Sequence, residues 1–167
     1  MRRFALVAAV LALCISACSK KGDIAVGLYS PDFAVADAGT GASLSSKHLK
    51  GKVLFVNFWA SWCPPCKEEM PSIQKLYEEM KVNPDFVMIT ILYNDDAAAA
   101  REYLKTLGFT FPVYTDAGNA TSRKFGLTGV PETYIVDKEG ILRKKVIGAT
   151  DWSSQEEKDL IYSLLKK

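Results

Sequence analysis

Two continuous apolar runs dominate the pattern of this chain. Val53 to Phe58, interrupted only by Asn57, and Phe86 to Leu92 each lie between polar, turn-forming residues. Strands covered on both faces have this character. Between them, Met70, Ile73, Leu76, Tyr77 and Met80 recur at spacings of three and four, which predicts a helix from about Pro64 to Met80. Pro71 falls inside that helix and is expected to kink it. Upstream, an alternation from Phe33, a turn at Gly39 and Gly41, and a return through Leu44 predict a β-hairpin over 33–44. A helical turn over 45–49 then leads to the first buried strand. Downstream, Asn94-Asp95-Asp96 caps a helix over 97–107, which Gly108 stops. Phe111–Tyr114 is a short strand and 120–125 a short helix. Thr133–Asp137 and Ile141–Ile147 form a hairpin about Lys138-Glu139-Gly140. An amphipathic helix over 153–166 closes the chain, with Leu160, Ile161, Leu164 and Leu165 on its buried side. There are no repeats and no second domain. The order predicts an α/β protein with a central sheet covered by helices on both faces.

The first residues do not belong to that pattern. Arg2 and Arg3 precede an apolar stretch, Phe4 to Ile15, which is short for a membrane span; small residues Ser16 and Ala17 follow. This is the form of a secretory signal peptide over 1–17. Ile15-Ser16-Ala17-Cys18 resembles a bacterial lipobox, so Cys18 is the expected lipidation site. Cys14 fits less well, because Leu13 stands where a small residue is needed. Residues 18–28 are then a lipid-anchored tether, and 29–167 the folded domain. An exported bacterial lipoprotein faces the periplasm or the cell exterior, where disulfides persist.

Composition adds little beyond exclusions. The chain has 167 residues, 49% of them hydrophobic, enough for one core domain. It carries 21 basic and 19 acidic residues; Arg2 and Arg3 are the only charges in the signal, so the mature chain is neutral. Such a balance argues against a nucleic-acid partner.

The candidate chemistry lies where the first buried strand meets the following helix: Trp62-Cys63-Pro64-Pro65-Cys66. Cys63 falls at the helix start, where free N–H groups and the macrodipole favour a thiolate, the attacking form of cysteine. Cys66, one turn later, is expected to face inward, and Cys63 to be open. A zinc site needs further ligands, and only Cys14, Cys18 and His48 remain. No metal and no cofactor are expected. A purely structural bridge would close a minimal loop and stabilise little. His48 reads as a surface residue.

The run Phe58-Trp59-Ala60-Ser61-Trp62-Cys63-Pro64-Pro65-Cys66-Lys67, together with Gly129-Val130-Pro131-Glu132-Thr133, resembles the thioredoxin superfamily. The hairpin 33–44, the helix-containing insert 94–113 and Cys63 to Pro71 narrow the likeness to the TlpA/ResA-like family of membrane-anchored thiol–disulfide oxidoreductases. The resemblance implies a thioredoxin-like fold with a mixed sheet and a cis Val130–Pro131 bond facing the cysteines. It implies that Trp62, Pro64, Pro65 and Val130 contact the client. Where cytoplasmic thioredoxins carry a buried aspartate, this chain has Asn57, and the resemblance gives Glu69 the proton-handling role. Glu132 resembles the residue after the proline in cytochrome c maturation members. The implied partners are a disulfide-containing client protein, with apocytochrome c as one candidate, a membrane thiol donor and the membrane surface. Pro64 and Pro65 supply neither charge nor N–H between the cysteines, which points to a reductase. The rivals are a thioredoxin-fold peroxidase, which would need Ser or Thr where Ala60 stands, and a non-catalytic metallochaperone or binding module.

Overall fold

The computed structural model describes residues 24–167. The signal peptide expected over 1–17 and the lipidation site expected at Cys18 lie outside the described residues. The chain builds one seven-stranded mixed sheet in the order β2-β1-β5-β4-β3-β6-β7. The strands are β1 Ala34–Asp37, β2 Ser43–Ser45, β3 Val53–Trp59, β4 Phe86–Leu92, β5 Val113–Thr115, β6 Glu132–Val136 and β7 Leu142–Ile147. The helices are α1 Pro64–Met80, α2 Ala97–Thr106, α3 Ala120–Lys124 and α4 Gln155–Leu165. This is the thioredoxin-like α/β architecture, with the N-terminal β1–β2 hairpin and α2 in the central insert.

The apolar runs are the two central strands, parallel to each other from Val53↔Phe86 to Trp59↔Leu92. All seven residues of β3 are buried, because it carries a core on each face. Val53, Phe55 and Trp59 pack with Met70, Ile73 and Leu76 of α1 and with Ile161 and Leu164 of α4. Leu54, Val56 and Phe58 pack on the other face with Ile89, Ile91, Phe125 and Tyr134. By the alternation of a strand, Asn57 shares the α1 face with Phe55 and Trp59. Burying a polar amide there requires partners from that side.

Pro71 lies inside α1, which runs without a break from Pro64 to Met80. The missing N–H removes one bond of the ladder, while buried Met70, Ile73 and Leu76 anchor the helix on both sides of it. Residues 24–28, expected as tether, lie against the sheet instead. Gly27 N–H donates to Leu142 O at 2.8 Å, Leu142 N–H donates to Leu28 O at 2.9 Å, and Ile24 packs on the second core. Leu160 and Leu165 of α4 are only partly buried; Ile161 and Leu164 carry its contact.

Antiparallel pairing of β3 with β6 matches Phe58 with Glu132 and Leu54 with Val136. The end of β3 that leads to Cys63 therefore lies beside the start of β6 that follows Pro131. Residues almost seventy positions apart in sequence meet there through strand register alone.

Candidate active site

Cys63 is the N-cap of α1, with an extended backbone, and Pro64 follows at the first helical position. Proline suits that position because its missing N–H would have had no partner within the helix. The Cys63 sulfur accepts the Cys66 N–H at 3.2 Å. Cys63 and Cys66 are joined as a disulfide with Cα atoms 5.3 Å apart. One donor of the helix terminus thus already points at the sulfur, as an N-terminal anion site requires. Cys66 is fully buried, as expected, but the expectation of an open Cys63 is corrected: it is only 3% exposed. The rim around it is open instead, with Trp62, Pro64 and Pro65 all exposed. Trp62 holds its place by donating its indole N–H to Asn94 O at 3.1 Å, while Ser61 N–H donates to Asp95 Oδ2 at 2.6 Å. The start of the insert, read from sequence only as a helix cap, thus also fixes the turn before the cysteines.

The Val130–Pro131 bond is cis. Pro131 is buried and Val130 half-buried. The Cys63 sulfur lies 3.5 Å from the Val130 carbonyl oxygen. Trp62, Cys63, Pro64, Pro65, Cys66, Val130 and Pro131 therefore form one neighbourhood at one end of the sheet.

Glu69 is one turn beyond Cys66 and is 2% exposed. Its carboxylate meets three neutral donors. Asn57 Nδ2 donates to Oε1 at 2.9 Å, Trp152 Nε1 to Oε2 at 3.2 Å, and Thr150 N–H to Oε2 at 3.4 Å. Burial pushes the carboxyl up to about 7, and the bonds from Asn57, Trp152 and Thr150 limit the rise. Asn57 also donates to Thr133 Oγ1 at 2.9 Å, which ties β3 to β6 directly behind the site.

Glu132 is fully buried as well, yet its environment is of the opposite kind. Burial opposes its charge, but donors from Thr128 and Tyr134 and the Lys145 ammonium, 3.4 Å away, hold its carboxyl below the usual range. Two buried carboxyls near one site thus differ in kind: one tied to a cation and charged, one poised near neutrality. His48 is exposed on a short helical turn. Among the described residues no cluster of His, Cys, Asp and Glu could hold a metal ion.

Sequence reasoning missed Trp152, Thr150 and Asp95. Trp152 was the detectable one: a lone large aromatic in a polar turn, Thr150-Asp151-Trp152-Ser153-Ser154, is a candidate for burial.

The family model for Redoxin matches residues 25–164. A thiol–disulfide oxidoreductase ResA of Bacillus thuringiensis is 31% identical over 147 residues, covering 88% of this chain and 80% of the relative. A thiol:disulfide interchange protein DsbE of Pseudomonas aeruginosa is 38% identical over 116 residues, covering 67% and 62%. A crystal structure of a thioredoxin family thiol:disulfide interchange protein from Chlorobium tepidum superposes with a TM-score of 0.69 at 27% identity, covering 84% of this chain and 98% of that one. With the Cys63–Cys66 pair in place at the head of α1, the chain belongs to the Redoxin family, as a thiol–disulfide oxidoreductase of the ResA/DsbE type.

Proposed function

We propose that the protein is an extracytoplasmic, lipid-anchored reductase of protein disulfides, with the apocytochrome c thiol pair as its client class. The observation that carries this reading is the sulfur of Cys63. It caps α1, receives the Cys66 N–H, and sits beside the Val130 carbonyl under an exposed rim of Trp62, Pro64 and Pro65.

In the reduced protein the Cys63 thiolate attacks one sulfur of the client disulfide. A mixed disulfide forms, and the first client sulfur leaves as a thiolate that takes a proton from water. Cys66 then attacks the Cys63 sulfur. Its thiol proton passes to the Glu69 carboxylate, the second client sulfur leaves, and two electrons have moved from the protein to the client. An upstream membrane thiol protein returns them. Val130 and Pro131 line the client's approach, and proline offers no N–H to compete for the sulfurs. Pro64 and Pro65 add no donor or charge that would favour the reduced thiolate, and the Glu69 carboxylate disfavours it. Both support a reducing pair. The resemblance to the TlpA/ResA-like proteins supports export, lipidation of Cys18 and the cytochrome client. No helix among the described residues is long and apolar enough to cross a membrane.

The reading is tested with the reduced Cys66→Ala protein and an oxidised Cys-x-x-Cys-His peptide, the haem-attachment sequence. Cys66→Ala accumulates the mixed disulfide through Cys63, and Cys63→Ala accumulates none. Equal trapping by both variants contradicts the assignment of attacker and resolver.

A further inference from the structure

Trp152 lies in the connection between β7 and α4 and is fully buried. Its orientation is fixed from three sides. The backbone N–H donates to Ser72 Oγ at 3.0 Å. That hydroxyl is 2.7 Å from the Glu69 carbonyl oxygen and 3.2 Å from the Thr150 carbonyl oxygen, so the connection is tied to α1 beside Glu69. The indole meets Phe55 edge-on, with ring centres 4.9 Å apart. Held in this way, its N–H has one acceptor in reach, Glu69 Oε2.

An indole N–H donates and never accepts. The Thr150 N–H on the same oxygen is likewise donor-only. A proton on Oε2 would take the place of one of these donors and crowd the other. Oε1 differs, because its partner is an amide that can present either end. Asn57 Oδ1 is buried and has no hydrogen-bond partner among the described residues. Turned about its terminal bond, the Asn57 amide offers Oδ1 to a protonated Oε1. Thr133, now accepting from Nδ2, can donate to Oδ1 instead, because a hydroxyl does either.

We propose that Trp152 is a positioning residue for Glu69: its indole N–H keeps Oε2 as a permanent acceptor, so that the proton is taken up on Oε1, on the Asn57 side, and the acid stays strong enough to release it. The part of this that concerns thiol exchange rests on Glu69 serving Cys66 as proposed above.

Few other groups compete for control of Glu69. Glu68 and Lys75 of α1 and Asp151 of the connection line the same open recess above it. Cys66 precedes it by one turn on α1. The residues of β3 and β6 that meet this site, Asn57 and Thr133, are neutral. None of the charged groups bonds the carboxylate, whereas Trp152 does.

The test is Trp152→Phe in the full mature chain, which removes the N–H and keeps an aromatic ring. Carboxyl carbon NMR of Glu69 in the oxidised protein reads its ionisation without any thiol chemistry. The expected result is a titration midpoint moved to higher pH, with the ionisation equilibrium weakened about tenfold or more, as for loss of one bond to a charged group. An unchanged midpoint overturns the proposal. A second measurement needs no variant: in the unaltered protein the indole N–H resonance of Trp152 should follow the Glu69 titration with the same midpoint. An indole signal that ignores that titration also overturns the proposal. Thiol alkylation against pH separates the two layers. If Glu69 moves in Trp152→Phe while the Cys63 and Cys66 profile does not, the positioning by Trp152 is upheld and the proton-accepting role of Glu69 fails.

Discussion

Glu69 shows most clearly how environment changes what a residue does. On an exposed helix face a glutamate is an ordinary solvated anion; here it is buried and met only by neutral donors, with its ionisation held near neutral pH. The raised value carries a stability consequence whose sign is fixed. Between about 4.5 and about 7 the unfolded chain has lost the Glu69 proton while the folded chain keeps it, so folding stability falls as pH rises through that window. The fall attributable to this group approaches about 3 kcal/mol, at about 1.4 kcal/mol per pH unit. Denaturant unfolding of the oxidised protein across the window should show this slope, and Glu69→Gln should lack it. If the variant keeps the parent slope, the carboxyl is not buried in the ionisable state described. In the reduced protein the same substitution should change the pH profile of Cys63 and Cys66 alkylation, which checks the proposed proton transfer separately. The resemblance to the TlpA/ResA-like family made Glu69 legible, at its place one turn from Cys66. The burial of Trp152 could be anticipated from a lone aromatic in a polar turn, but its pairing and that of Thr150 with Glu69 could not, because that connection has no periodicity to read. The closed state of Cys63 was also hidden: the N-cap position predicts the geometry of its backbone but not what covers the sulfur.

At the level of elements, the hydrophobic pattern carried most of the fold. Both central strands and α1 follow from apolar runs and from spacings of three and four, because each must fit a defined core face. The weaker signals were the short pieces at the edges. β5 starts two residues later than the apolar stretch suggests, since Phe111 turns into the core beside Trp59, with ring centres 6.3 Å apart, while Pro112 supplies no ladder N–H. Sheet order was not readable from spacing at all; it is β3–β6 register that brings Pro131 to Cys63. The insert is held by local chemistry. Asp96 caps α2 by accepting the Ala99 N–H at 2.8 Å. Asp96→Ala should cost about 1 kcal/mol in chemical denaturation, while the alkylation profile of the cysteines stays that of the parent. A shift in that profile would mean that the cap reaches the site through Asp95 and Ser61.

For the whole molecule, one sheet end gathers a helix terminus, a cis-proline loop and a poised carboxyl, while the rest of the fold supplies rigid backing from two cores. In the function proposed, the N-terminal region decides where this machinery works. Mass spectrometry of the native protein should find Cys18 as the first residue with a diacylglycerol group; a mature chain beginning at Ser19, or an uncleaved Met1, contradicts the lipid anchor. The central claim, that the pair donates electrons to clients, has one direct measurement: the reduction potential of Cys63–Cys66, from equilibration with a thiol buffer of known potential. A proline pair between the cysteines gives the thiolate of the reduced form no support, and the carboxylate proposed to act behind them disfavours it. The expected value lies nearer about −270 mV, typical of a reducing thioredoxin-type pair, than about −120 mV, typical of a strong oxidant. A value near the oxidant end would rule out a reductase and reverse the direction of electron flow.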